Sequence, residues 1–143
     1  PLHKALTIER IYGIDIDPQA IELSEKLNQR YVENSWKYKG VVADMSMLST
    51  HNMEFTTGGE LIRVKPDCII NTSCEHMDNE WFDSADDDQL IVMQTNNSED
   101  FEGHINICDS IDDMKAKYPL SKTHFIGQLI TPAYTRFMQI GYK

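Results

Sequence analysis

The side chains of this sequence that could do chemistry lie mostly where apolar runs end. Asp15 and Asp17 close the first run, in YGIDIDP, and Asp44 closes the second, in VVAD. Asn71 and Thr72 follow the third, in IINTS, and similar polar residues follow the fourth, in LIVMQTNN. If each run is a strand of a parallel sheet, these ends lie side by side, where such sheets bind ligands. The pattern predicts a ligand-binding edge of carboxylates, amides and hydroxyls.

The two aspartates of the first run have different predicted tasks. Asp17 precedes a proline and a stretch with helical spacing of apolar residues, so we expect it to cap a helix. Asp15 lies within the end of the strand and needs no such structural explanation. A carboxylate there can accept two hydrogen bonds from a ribose diol, and Asp44 can accept one from an adenine amino group. With Ile16 and Met45 as apolar faces for the ring, this edge predicts a nucleoside site.

The elements that position these residues are predicted from the hydrophobic pattern. The core strands are expected at residues 11–16, 40–44, 66–73 and 89–95. Helices are expected after the first, third and fourth of them, and the runs HFIGQLI and TRFMQIGY are expected to pair as an antiparallel hairpin. Alternating strands and helices predict a Rossmann-like α/β fold, a mostly parallel open sheet with helices on both faces and a C-terminal antiparallel hairpin.

The composition excludes several classes of protein. The 143 residues suffice for one domain with a buried core, and 41% of them are hydrophobic. The formal net charge is −10 and the 13 lysines and arginines form no cluster, so DNA and RNA are not expected partners. No run reaches the ~18 apolar residues of a membrane span. The three cysteines lack metal-type spacing. We expect a cytoplasmic protein with a small-molecule substrate, no membrane partner and no metal site; the sequence does not indicate an oligomeric state.

Three successive stretches resemble motifs of class I S-adenosylmethionine-dependent methyltransferases: YGIDIDPQAIELS, VVADM and PDCIINTSCEHM. In that family a strand ends in glycine, an aliphatic residue and an acid, and then leads into a helix. The resemblance implies that Asp15 holds the ribose hydroxyls and that Ile16 packs on adenine. It also implies that Asp44 binds the adenine amino group, with Met45 beside it. It covers nearly the whole chain and implies a single methyltransferase-like domain over residues 1–143 with S-adenosylmethionine as cofactor.

The same resemblance implies where the acceptor end of the site lies. The strand that ends in IINTS corresponds to the one that faces the methyl group, so Asn71 and Thr72 are predicted to contact the donor. Many small-molecule methyltransferases carry a Glu-His pair just beyond it, matched here by Glu75 and His76. His76 and His104 are the candidate general bases, and Asn71 can orient an amine or hydroxyl of the acceptor. Methyl transfer itself depends mainly on alignment of the nucleophile with the methyl group.

One element of the family has no counterpart in this sequence. A glycine-rich loop after the family's first strand holds the methionine part of the donor, and nothing similar precedes residues 11–16. We therefore expect the domain to be truncated at its N-terminus, just after that loop. The predicted function is S-adenosylmethionine-dependent methyl transfer to a small-molecule acceptor. Two alternatives stay open: a non-catalytic scaffold or partner-binding subunit of this fold, and another S-adenosylmethionine-using transfer or lyase reaction.

Three residues near these motifs are expected to be structural. Cys74 has no partner arrangement that marks a nucleophile, so it is predicted to be a packed thiol. Trp81 and Phe82 are predicted to form the apolar face of the helix that follows the Glu-His pair.

Overall fold

The computed structural model describes residues 8–33 and 37–143. The chain divides into two compact units, one of Pro1–Met47 with Glu54–Arg63 and the other of Leu48–Met53 with Val64–Lys143. We call these unit 1 and unit 2. No helix within the two described ranges is long and apolar enough to cross a lipid bilayer.

Unit 1 is built on a parallel pair of strands with a helical connection between them. Its elements are β1 (Ile11–Asp15), α1 (Pro18–Leu27), α2 (Gln29–Glu33), β2 (Tyr38–Val42), a 3₁₀ turn (Met45–Met47) and most of the hairpin of β3 (Met53–Thr57) and β4 (Glu60–Val64). β1 and β2 are in parallel register from Ile11 opposite Tyr38 to Asp15 opposite Val42. A turn at Gly58 and Gly59 joins the two strands of the hairpin, and both glycines have positive φ.

Helix α1 begins where the sequence predicts, and it packs closely on β2. Asp17 is extended, its side chain accepts a hydrogen bond from the Gln19 amide at 2.8 Å, and Pro18 is the first helical residue. A Cβ atom on Gly40 would lie 2.7 Å from a methyl group of Ile21, so only glycine permits this approach of helix to strand. Ile21 and Val41 are buried in this contact region of unit 1.

Unit 2 contains a four-stranded sheet in the order β5-β6-β8-β7. Its elements are β5 (Cys68–Asn71), a 3₁₀ turn (Cys74–His76), α3 (Glu80–Asp83), β6 (Leu90–Asn96), α4 (Ile111–Lys117), β7 (Lys122–Ile130) and β8 (Thr135–Tyr142). β5 and β6 are parallel, whereas β8 is antiparallel to both β6 and β7. The predicted C-terminal hairpin is confirmed as the pair of β7 and β8.

The core of unit 2 is centred on three aromatic rings. Trp81, Phe82 and Tyr118 are almost fully buried, with ring centroids 5.3 to 5.7 Å apart. Phe137 of β8 and Cys74 belong to the same cluster. The predicted burial of Trp81 and Phe82 and the predicted packing of the Cys74 thiol are confirmed.

The predicted Rossmann-like architecture is wrong. The described strands form a parallel pair, a hairpin and a four-stranded sheet in which two of the three pairings are antiparallel, and not one mostly parallel sheet. The helices of unit 2 are one or two turns long, too short to cover a sheet on both faces. The physical reason is that apolar runs identify strands but not their partners, because pairing depends on contacts distant in sequence.

Candidate functional site

The residues predicted to bind a nucleoside lie at the carboxyl ends of β1 and β2. Asp15 is the last residue of β1, and its carbonyl oxygen accepts a hydrogen bond from the Ala43 amide at 3.0 Å. Asp44 follows Ala43 directly, so both acids belong to the same edge of the parallel pair. Asp15 and Asp44 are exposed, Ile16 is 67% exposed, and Met45 is half-buried. The structure thus places all four predicted residues at one solvent-accessible edge of unit 1.

Each of the two carboxylates also organises its own turn. Asp15 Oδ1 accepts from the Asp17 amide at 2.9 Å, and Asp44 Oδ1 accepts from the amide and hydroxyl of Ser46 at 2.9 and 2.8 Å. The bonds from Ser46 hold the pKa of Asp44 below its usual value, so this group is negatively charged at neutral pH. The prediction that Asp15 lacks a structural task was wrong, since it caps this turn. Within the described part of the chain neither Oδ2 atom has a hydrogen-bond partner, so each can accept from a ligand.

Asn71 and Thr72 lie in unit 2, at the end of β5. The Asn71 side chain accepts from the Ser73 amide at 2.9 Å and donates to the Met77 sulfur at 3.4 Å. Thr72 is exposed. The Asn71 amide therefore has a clear role in shaping the turn that leads to Glu75, and its role toward an acceptor stays a prediction.

His76 and His104 are brought together although they are 28 positions apart in the sequence. Their ring centroids are 4.5 Å apart in an edge-to-face arrangement. His76 Nδ1 contacts the Gly103 carbonyl oxygen at 3.1 Å, and His104 Nδ1 contacts the Ser98 carbonyl oxygen at 2.7 Å. A carbonyl oxygen can only accept, so Nδ1 carries the proton in each ring. In the neutral rings Nε2 then has a free lone pair, as a general base or a metal ligand requires.

Glu75 lies beside the two histidines and is a candidate site residue that the sequence analysis did not select. It is only 8% exposed, and its Oε1 atom accepts from Asn96 Nδ2 at 2.7 Å. Its carbonyl oxygen accepts from the amides of Ile105 and Asn106, which ties this turn to the loop that carries His104. The Glu-His pair was visible in the sequence, but the burial of this acid depends on the end of β6 and could not be inferred from it.

An open cleft of about 390 Å³ lies within unit 2, and neither His76 nor His104 lines it. Its walls come from the end of β6 and the turn between β7 and β8, namely Asn97, Ser98, Glu99, Asp100, Thr131, Pro132, Ala133, Tyr134 and Thr135. Ser98 belongs to this wall and also accepts the hydrogen bond from His104. The ring of Phe101 contacts both His104 and Tyr134, with centroids 5.4 and 6.3 Å away.

The three cysteines differ sharply in accessibility, which gives a testable prediction. Cys74 and Cys108 are fully buried, and burial raises the pKa of Cys108 to about 11 and that of Cys74 further. Cys68 is exposed. Partial burial and the neighbouring Asp67 also raise the pKa of Cys68, but of the three thiols only this one is exposed, so we expect iodoacetamide to modify Cys68 alone in the folded protein, and slowly near neutral pH. Peptide mass mapping with and without denaturant measures this, and equal labelling of Cys74 and Cys68 in the folded state would contradict the packing described.

The comparisons with known proteins bear on the fold alone. No protein-family model and no curated protein matches this sequence. A crystal structure of a possible exported protein from Bordetella parapertussis is similar, with a TM-score of 0.55 and 12% sequence identity over 94% of this chain. The chain spans 54% of that protein's length. At this identity the similarity concerns the path of the backbone, and it carries no information on activity.

Proposed function

We propose that this protein binds the nucleoside part of S-adenosylmethionine and transfers its methyl group to a small-molecule acceptor. The observation that carries the proposal is the pair of exposed carboxylates, Asp15 and Asp44, at the adjoining carboxyl ends of two parallel strands. In parallel sheets that bind dinucleotides, the ligand lies beyond the carboxyl ends of the strands, and an acid there binds the ribose hydroxyls.

The donor has chemical groups that match this edge. Its ribose diol can donate to Asp15 Oδ2 and its adenine amino group to Asp44 Oδ2, the oxygens without hydrogen-bond partners in the described residues. The exposed side chain of Ile16 offers an apolar surface to the adenine ring. The positive sulfonium of the donor also suits a protein of net charge −10, because the protein's field attracts cations.

Methyl transfer requires little from the protein beyond positioning and one proton acceptor. The acceptor's lone pair forms a bond to the methyl carbon while the bond from that carbon to sulfur breaks, and S-adenosylhomocysteine leaves. A nucleophile that carries a proton also gives that proton to a base.

Calorimetric titration with S-adenosylhomocysteine tests the donor half of the proposal. We expect saturable binding of one molecule per chain with a micromolar dissociation constant. Adenosine is expected to compete with it, because the proposed contacts are to the nucleoside, and homocysteine is expected not to compete. Absence of binding by the folded chain would contradict the donor site, and competition by homocysteine without competition by adenosine would contradict its chemistry.

Product identity tests the reaction. The protein is incubated with S-adenosylmethionine and panels of small amines, alcohols and thiols, and the released nucleoside is identified by mass spectrometry. Methyl transfer releases S-adenosylhomocysteine together with a methylated acceptor. Release of 5′-methylthioadenosine would show that another carbon of the sulfonium is used, and binding without any turnover would favour a non-catalytic role.

A further inference from the structure

We propose that Glu75, His76 and His104 bind a divalent transition-metal ion, with Zn²⁺ as the best-suited ion. A potential ligand atom from each of the three side chains lies within 4.8 Å of the other two. All three belong to unit 2, and two come from one turn while His104 comes from the loop after β6. The proposed methyl transfer does not require a metal, and with an ion bound the Nε2 lone pairs of both histidines are engaged, so neither histidine then acts as its general base.

The ligand set is one that Zn²⁺ binds well. Two imidazole nitrogens and one carboxylate oxygen are typical of zinc sites that keep a coordination position open. Magnesium and calcium prefer oxygen ligands and larger coordination numbers, so they suit this set less. Bonds of about 2.1 Å in a tetrahedral site place ligand atoms ~3.4 Å apart. Side-chain rotations that move the ligand atoms by ~1 Å would therefore complete the geometry. His76 is exposed and His104 half-buried, which leaves room for such movement.

Both rings already make the second-nitrogen contact that is typical of metal-binding histidines. Metal-binding histidines almost always donate their second ring N–H to a carbonyl or carboxylate, which directs the remaining lone pair at the ion. His76 does so with the Gly103 carbonyl and His104 with the Ser98 carbonyl. Gly103 has a φ of +86°, so a side chain at this position would strain the loop that presents the carbonyl to His76.

Glu75 provides an independent indication of a missing ligand. Its side chain is more than nine-tenths buried, yet its Oε2 atom has no hydrogen-bond partner among residues 8–33 and 37–143. A buried carboxylate oxygen without a partner loses the solvation it had in water, and native proteins rarely leave such an atom unsatisfied. A cation beside the two histidines would satisfy it.

The residues around the ligands form a supporting network at the end of β6. Asn96 Nδ2 donates to Glu75 Oε1 at 2.7 Å, while Asn96 Oδ1 accepts from the Ser98 amide at 2.9 Å. Ser98 in turn accepts from His104. One buried asparagine thus orients the carboxylate directly and one histidine through Ser98, as outer residues of metal sites do. An edge-to-face histidine pair without metal would need neither the buried acid nor this network.

Titration of the metal-free chain with Zn²⁺, and with Co²⁺ as a spectroscopic probe, tests the site. We expect one ion per chain, with binding weakened at least ~100-fold in His76→Ala, His104→Ala and Glu75→Gln, because each removes a direct ligand and loss of a supporting residue alone costs ~10- to 100-fold. His124→Ala is the matched control, since His124 is exposed on β7 and contacts Tyr142. It is expected to bind like the wild type.

A supporting variant and a stability readout separate ligation from folding. Asn96→Ala is expected to weaken binding ~10- to 100-fold, and Zn²⁺ is expected to raise the melting temperature of the wild type but not of His76→Ala. His76 is exposed, so its variant tests the site even if substitution of buried Glu75 prevents folding. Absence of Zn²⁺ binding by the wild type, or unchanged binding in His76→Ala and His104→Ala, would overturn the proposal.

Discussion

Replacement of Asp15 by alanine is expected to weaken the binding of S-adenosylhomocysteine at least ~30-fold. The loss follows from the removal of charge-assisted hydrogen bonds to the ribose, which are worth roughly 1.5–3 kcal/mol each, so that about 2–4 kcal/mol of binding free energy is lost. A change of about 1.4 kcal/mol corresponds to a tenfold change in the dissociation constant. Calorimetry on the wild type and the variant measures the difference.

Two further variants separate the ligand contact from the structural task of Asp15. Asp15→Asn keeps an oxygen that can accept from the Asp17 amide, but it removes the charge, and we expect about tenfold weaker binding with unchanged stability. Asp17→Ala removes the cap on α1 and is expected to lower the free energy of unfolding by about 1 kcal/mol without a change in affinity. Equal losses of affinity in Asp15→Ala and Asp17→Ala would show that both act through folding and that Asp15 does not touch the ligand.

Replacement of Phe82 by alanine is expected to lower the free energy of unfolding by about 3–5 kcal/mol. Phe82 is 2% exposed, and its ring lies 5.7 Å from that of Trp81 and 5.3 Å from that of Tyr118. The substitution removes this burial and leaves a cavity among rings that cannot close around it. Urea unfolding followed by tryptophan fluorescence and circular dichroism measures the loss.

Phe101→Ala is the matched control for that substitution. Phe101 is 53% exposed and contacts His104 and Tyr134 at the surface of unit 2. We expect it to change the free energy of unfolding by less than about 1 kcal/mol, because exposed side chains lose little on truncation. Similar losses in Phe82→Ala and Phe101→Ala would mean that the aromatic cluster is not the centre of stability in unit 2.

Those features of the fold that depend on neighbouring residues could be predicted from the sequence. The cap at Asp17 follows from an acid, a proline and a helical pattern in direct succession. The C-terminal hairpin follows from two β-like runs joined by a short turn. In each case the residues that decide the structure lie within a few positions of one another, so the local sequence pattern is enough to predict it.

The overall architecture could not be predicted, because it depends on which strands pair. The runs at β2 and β5 look alike as buried strands, yet β2 pairs with β1 and β5 pairs with β6. In the sequence, the hairpin of β3 and β4 comes between β2 and β5. The helix expected after the third predicted strand is also broken into a 3₁₀ turn and the short α3. Apolar patterning favours burial but does not specify a partner strand or a sheet boundary.

The candidate site residues also divide into those that the sequence predicted and those whose contacts exist only in the folded protein. Asp15 and Asp44 were selected from strand-end chemistry alone, and the parallel register brings their strand ends together. His76 and His104 were selected singly, but their contact is a property of the folded loops. Glu75 was missed as a ligand because its burial and its bond to Asn96 exist only once β6 is in place.

The most direct test of the central claim is a ¹⁵N NMR titration of the full chain with S-adenosylhomocysteine. If the β1–β2 edge holds the nucleoside, the largest chemical-shift changes will be at the amides of residues 15–17 and 43–46, and Asp15→Ala will remove them. Saturable binding that leaves these amides unchanged, or no shift at any concentration of ligand, would contradict the claim.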